Sequence, residues 1–317
     1  ILYRPTPPPG QRFAQQLRLR DVQERTLRAD HDIVASDGAL WMRVIGWEDW
    51  RFYWEPSFYD FWRHPDRHII GHAIELPGQI GHQDATCFRM QPFGEIESNI
   101  WENLYAHLIL SRSELSEYHS MPRSERRTQW LFGRSAAKDA VRSWIARTGG
   151  PKLYPADVVI GTDDHGRPVA GGAWAARVAE VPRISISHKG LIAVAAASRR
   201  QIGIDLERVE PREASFEGAA FDPGEQQILR GYAGADRDEW VTRLWCAKEA
   251  AAKAIGVGLR YGPGTVVARR VDPESGTVIV VYGASPAERI EIPVHCRRTG
   301  EFVMALAALE GNGHGSH

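Results

Sequence analysis

Cysteine is scarce: three residues in 317, Cys87, Cys246 and Cys296, an odd number with no CxxC spacing. A disulfide framework and a zinc ribbon are both excluded as readings, and a reducing cytoplasm is the expected location. No apolar run approaches the roughly 18 residues that span a bilayer, and no charged-then-apolar leader opens the chain, so no membrane partner is expected. Neither sign of charge is in excess. Against 39 Lys and Arg stand 40 Asp and Glu, which leaves no bulk attraction for nucleic acid or a membrane surface. Any electrostatic function must then be local. With 43% hydrophobic residues the chain can bury a sizeable core, and its length suits two domains. It begins at Ile1 rather than methionine, from which a fragment of something longer is expected.

The first stretches, "FAQQLRLRDV", "TLRADHDIVAS" and "ALWMRVIGWEDWRFYW", alternate apolar and polar residues as antiparallel strands do. "EPSFYDFWRHPDR" and "HIIGHAIELPGQIGH" follow without a clear period and read as the trailing edge of a strand-rich lobe. Helices are expected from near Ile100, with Ser111 and Glu114 at capping-box spacing and an amphipathic stretch from about Arg123 to Arg147. Strands are expected at "DVVIGT", "RISISH", "LIAVAAAS" and "QIGIDLERV". A second helical block opens at "FDPGE", where Asp222 can cap, Pro223 suits the first helical position and Glu225 sits three residues on. A helix from about Asp238 to Ile255 closes at Gly256. "GTVVARRV" and "TVIVVYG" read as a hairpin, "FVMALAAL" as a last strand, and 312–317 as a disordered tail. Trp130 followed by Ala136-Ala137-Lys138, and Trp245 followed by Ala251-Ala252-Lys253, echo one another at equal spacing. That echo hints at two copies of one α+β unit.

In "GIDLE" the alternation sends Ile204 and Leu206 to one face and Asp205 and Glu207 to the other. Two neighbouring carboxylates repel, and a cation between them relieves this; all-oxygen ligation favours a hard ion such as Mg²⁺. On the Ala-rich helix, Glu249 and Lys253 are four apart and project from one face, with Lys248 beside them. The bland reading of these charges is a solvated helix face with one weak ion pair, worth about 0.3–0.5 kcal/mol.

"IGIDLE" and "WCAKEAAAK" together resemble the signature pair of the 4′-phosphopantetheinyl transferases, in the surfactin-type class whose single chain holds two similar halves. "WLFGRSAAK", "GRP" at 166–168 and "ISISHKG" stand in the same order as in that family, over about residues 110 to 310. Ser185 departs from it, since the family often has asparagine there. The resemblance implies two pseudo-symmetric α/β halves, about 99–208 and 209–311, in an α+β domain spanning 99–311. It implies transfer of the phosphopantetheine arm of coenzyme A to a serine of an acyl carrier protein, with release of adenosine 3′,5′-bisphosphate. Asp205, Glu207 and Glu249 match its metal positions. Glu249, Lys253 and Asp205 are the catalytic candidates, with Glu249 accepting the serine proton. Lys248 and Lys253 would grip the diphosphate, and Arg127, Arg134, Lys138, Arg167, Ser187 and His188 would bind the rest of coenzyme A.

Residues 1–98, notably "DGALWMRVIGWEDWRFYW" and "FYDFWRHP", resemble the closing strands of a polyketide synthase dehydratase. Joined to a transferase of this kind, they look like the C-terminal end of an iterative enediyne synthase. Two rival readings are a dehydratase fragment and a non-catalytic module that docks a carrier protein. His64, His68, His72 and His82 lack an HExxH arrangement, and no zinc site is expected there. "GVGLRYGPG" lacks the GK[ST] ending of a phosphate loop and reads as a helix stop. The Trp-rich stretch Trp41 to Trp62 lacks flanking basic residues and reads as a β core rather than a base-stacking surface.

Overall fold

The alternating N-terminal segments form a meander, β1 (Phe13–Val22), β2 (Thr26–Ala35) and β3 (Leu40–Trp50), antiparallel in the order β1-β2-β3. Within it the buried Asp30 accepts hydrogen bonds from Arg20 and from the Gly46 amide, so the one carboxylate taken into this sheet is compensated. The computed structural model describes residues 9–50, 56–76, 84–92, 99–256, 262–283 and 289–309. The chain divides into two units, 1–56 and 57–317. The expected boundary at 98/99 is therefore displaced. The physical reason is a strand that sequence reading passed over, "ATCFRM", which lies inside a sheet of the second unit.

That unit begins with α1 (Pro56–Arg63), β4 (His72–Ala73) and β5 (Ala85–Met90). Three helices follow, α2 (Asn99–Ile109), α3 (Arg112–Ser120) and α4 (Glu125–Arg147), then β6 (Val159–Thr162), β7 (Pro168–Gly171), β8 (Arg183–Lys189), β9 (Ile192–Ser198) and β10 (Ile202–Arg208). The last third holds α5 (Ala214–Ala220), α6 (Pro223–Leu229), α7 (Gly234–Ile255), β11 (Val266–Asp272), β12 (Thr277–Tyr282), β13 (Ile290–Thr299) and β14 (Phe302–Ala308). One sheet runs β4-β5-β9-β8, the other β10-β14-β13-β12-β11. Because β10 pairs with β14, it belongs to the second sheet, and the expected division of the halves at 208/209 falls on its wrong side. No helix among the described residues is long and apolar enough to cross a membrane. The tail 312–317, His82 and the turn 257–261 lie outside the described residues.

Each sheet carries one long helix on its outer face. Ala247, Ala250, Ala251 and Ala254 of α7 pack on Val294, Val303, Ala305 and Ala307. Between the sheets a second core forms from Cys87, Val194, Ala196, Ile202, Ile204, Leu206, Met304 and Leu306. Both helices are more buried than an amphipathic pattern implies, because loops and short helices cover their outer sides. α4 buries fourteen named residues, among them Arg127, Lys138, Asp139 and Arg142.

The halves repeat one device. Ser111 caps α3, and its capping-box partner Glu114 accepts from the Ser111 amide at 2.9 Å, the Ile160 amide at 3.0 Å and Lys138 Nζ at 2.7 Å. Asp222 caps α6, and Glu225 accepts from the Asp222 amide at 2.8 Å, the Ala268 amide at 2.8 Å and Lys248 Nζ at 2.8 Å. Lys138 therefore corresponds to Lys248, and eight residues earlier Trp130 corresponds to Trp240. The Trp130/Trp245 echo was out of register: it matched letters, whereas the repeat is set by which lysine reaches the capping glutamate.

Both lysines lie inside the fold, Lys138 at 1% and Lys248 at 0% exposure. Burial pulls both ammonium pKa values down while the glutamate partners pull them up. Removing one member of such a pair strands a buried charge, at a cost of about 3–5 kcal/mol. Lys248→Met is expected to lose stability on that scale in urea denaturation, and a loss below about 1 kcal/mol would contradict the assigned role.

Candidate active site

β10 turns Gly203, Asp205 and Glu207 toward α7, while Ile202, Ile204 and Leu206 face the inter-sheet core. A Cβ at Gly203 would fall on the Ala250 carbonyl and the Ala254 amide, so glycine is what lets α7 lie this close to the strand. One turn of the helix then delivers Lys253 to β10, where its Nζ donates to Asp205 Oδ1 at 2.7 Å and to the Ile204 carbonyl at 3.1 Å. Ser187 on β8 donates its hydroxyl to the same Oδ1 at 2.8 Å. The other oxygen, Oδ2, is buried with no hydrogen-bond partner among the described residues. An unpaired carboxylate oxygen of this kind is costly unless a ligand engages it.

Glu249 lies one residue along α7 from the buried Lys248, on the side toward β10. Burial raises its carboxyl above the ordinary value, and Asp205 and Glu207 raise it further, with Lys253 opposing them. The three carboxylates thus feel one another. They are not drawn together as a ligand set, however: no three His, Cys, Asp or Glu among the described residues stand close enough to hold a metal. Glu207 instead meets Lys189 Nζ at 2.6 Å and Arg212 at 3.3 Å. Both of these cations escaped sequence reading; Lys189 stood next to "SISH", while Arg212 had no local signal.

The remaining candidates separate into two groups. Arg167 and Lys253 both line an open cavity of about 670 Å³, together with Arg183, Ser185 and Gln201. Asp163 holds Arg167 through its side chain at 2.8 Å and its amide at 2.9 Å, and Gly256, with φ of 86°, closes α7 against that guanidinium. His188 does not line that cavity; partial burial and the Lys253 ammonium hold its imidazole below its ordinary pKa, with Asp205 and Glu125 opposing them. The second group is corrected by the structure. Lys138 and Lys248 are spent on Glu114 and Glu225 and present nothing to a ligand. Arg127 is buried over the Tyr118 ring with Glu102 at 3.5 Å, and Arg134 lies 3.5 Å over the Trp130 ring with Glu117 at 3.6 Å. Stacking on aromatic rings offsets the burial of these guanidinium groups. Ser187 is turned to Asp205 rather than toward a phosphate. Sequence spacing could not show this, because each partner is distant in the chain.

Residues 201–307, which contain β10, α7 and β14, match the model of the 4′-phosphopantetheinyl transferase superfamily. The chain is 26% identical over 161 residues to the 4′-phosphopantetheinyl transferase psf-1 of Bacillus pumilus, covering 47% of this chain and 66% of that one. A 4′-phosphopantetheinyl transferase of Bacillus subtilis is 26% identical over 145 residues, covering 44% and 61%. The 4′-phosphopantetheinyl transferase Sfp of Bacillus subtilis (strain 168) is 24% identical over 164 residues, covering 48% and 69%. The chain thus spans about two thirds of the length of these curated relatives. Among solved structures, the holo-[acyl-carrier-protein] synthase of Thermotoga maritima is 21% identical and covers 44% of this chain and 74% of that chain. Its TM-score of 0.26 is too low to add to the architecture described above. The enzyme class named by the family and by all three curated relatives is the same, 4′-phosphopantetheinyl transferase.

An acid raised in the folded state favours folding only while it keeps its proton. As pH climbs from the ordinary carboxylate range through the raised Glu249 value, the unfolded chain releases that proton first and stability is lost. Glu249→Gln removes this loss. Its melting temperature is expected to exceed that of the parent at pH 7.5 and to match it at pH 3.5, and a variant less stable at both pH values would contradict the repulsion assigned to Glu249.

Proposed function

We propose that the chain transfers the 4′-phosphopantetheine arm of coenzyme A to a serine hydroxyl of an acyl carrier protein and releases adenosine 3′,5′-bisphosphate. The observation that carries this reading is the Lys253–Asp205 contact at 2.7 Å where α7 crosses β10, inside the segment that matches the transferase superfamily. Lys253 uses two of its three N–H groups on Ile204 and Asp205 and keeps one for a phosphate oxygen. It also lines the 670 Å³ cavity, within the size range of small-molecule sites. Arg167, in the same lining, is the second cation for the coenzyme's phosphates, and His188, outside that lining but close enough to feel Lys253, is the candidate for a further part of the coenzyme.

The donor chemistry suits Mg²⁺, because all the candidate donors are carboxylate oxygens and Asp205 Oδ2 is buried without a hydrogen-bond partner among the described residues. Asp205, Glu207 and Glu249 would hold that ion only by closing in from where they stand here, with Glu207 released from Lys189 and Arg212; when bound it supplies positive charge against the diphosphate. Glu249 takes the proton that leaves the serine oxygen as the new P–O bond forms. Burial and the neighbouring Asp205 make its carboxylate a better proton acceptor than a free glutamate. The resemblance of the N-terminal stretch, notably "DGALWMRVIGWEDWRFYW", to the end of a dehydratase supports a carrier protein within a polyketide synthase, of the enediyne type.

The chain incubated with a carrier protein, coenzyme A and Mg²⁺ is expected to add one phosphopantetheine group to the carrier, read by intact-protein mass spectrometry. EDTA should abolish the gain. Asp205→Ala and Glu249→Ala should lower the rate by about 100-fold or more. Lys253→Ala should raise the KM for coenzyme A about tenfold, the loss of one charge-assisted contact. A carrier of unchanged mass, with the chain folded and all components present, sinks the transferase reading.

A further inference from the structure

The two sheets of the second unit do not stay in contact along their whole length. Where β9 begins and β10 ends they splay, leaving a cleft of about 420 Å³ walled by Ile192, Val194, Leu206, Phe302 and Met304. Val194, Leu206 and Met304 belong to the inter-sheet core, and Ile192 and Phe302 pack against it, so the cleft is the open end of that core. It shares no residue with the cavity that holds Lys253 and Arg167. Leu206, in its wall, stands between Asp205 and Glu207 and faces away from them.

Two arginines sit at its mouth. On β5 the inward positions are Ala85, Cys87 and then Arg89, the first two buried in the inter-sheet core. An arginine in that register is aimed at apolar surroundings, where a cation is rarely left without a partner. On β13 the positions facing the same way end in Arg297 and Thr299, both lining the cleft. Neither Arg89 nor Arg297 has a side-chain hydrogen bond or ion pair among the described residues. Glu75 and His72 complete the rim, so with histidine neutral the mouth carries one net positive charge.

We infer that this cleft binds a linear aliphatic carboxylate, its chain between the sheets and its carboxylate on Arg89 and Arg297. Aliphatic walls match an aliphatic chain, and a volume at the small end of the range for ligand sites suits a short one. The guanidinium fork matches a planar carboxylate through paired N–H donors. The inference does not depend on the transferase reading.

Calorimetric titration of the full chain with octanoate tests it. Octanoate should bind at least tenfold more tightly than octanol, which has the same chain and no charge, and than octylamine, whose charge is opposite. Arg297→Gln, at an exposed position, should weaken octanoate about tenfold with the melting temperature unchanged. Arg89→Gln should do the same, and Ile192→Trp, which fills the cleft, should abolish binding. Equal binding of octanoate and octanol, or octanoate affinity untouched by Arg297→Gln and Ile192→Trp, overturns the inference. Octyl phosphate binding tenfold more tightly than octanoate overturns the carboxylate assignment.

Discussion

The helix Gly234–Ile255 can bring Glu249 and Lys253 to the acids of β10 only because nothing larger than hydrogen stands at position 203. Backbone meets backbone there, and the alanines at 250 and 254 keep the helix side of the contact equally thin. A side chain at 203 would push α7 outward and separate Lys253 from Asp205. The ammonium would then lose the carboxylate that fixes it, and Asp205 would keep an unneutralised charge in a buried setting. The geometry of the proposed phosphate site thus rests on a steric condition, and the charges exploit it.

The same helix carries two lysines with opposite fates. Lys248 and Lys253 are five residues apart, about 140° around the helix axis, so they cannot serve one site. Lys248 turns inward to the capping glutamate of α6 and welds that short helix to α7 and, through the Ala268 amide, to β11. Lys253 turns to β10. Lys138 repeats the first arrangement in the other half, tying α3, α4 and β6 through Glu114. Such fully partnered buried pairs fix one arrangement of elements more than they add net stability.

The repeat is structural rather than chemical. Where Ala250 meets Gly203 in the second half, Ala140 in the first accepts a hydrogen bond from Thr86 at 2.7 Å. Two residues further along that strand is Phe88, in place of an acid. Asp139, the counterpart of Glu249, is tied to the Gly71 amide at 2.9 Å and to Arg142 at 3.3 Å, and burial raises its carboxyl to about 6. It serves to hold the segment before β4 against α4. Among the described residues, the strand–helix crossing of the second half sets acids on both strand and helix, and that of the first half does not.

What sequence alone determined was local. The capping boxes at Ser111 and Asp222, the helix stop at Gly256 and the strand parity that puts Asp205 and Glu207 on one face all depend on neighbours within a few residues. The strand Ile290–Thr299 is not legible in the sequence because Pro293 and a basic end break its alternation; the proline is tolerated because β14 pairs with β13 only from Val294 onward. The partner of each buried cation was decided by tertiary structure. Arg127, Arg134, Lys138 and Lys248 share the composition of a phosphate-binding surface, and only the packing of distant segments shows that glutamates and aromatic rings already occupy them. Charge type is written in the chain, but the residue that neutralises it is chosen by contacts tens of positions away, which no local pattern encodes.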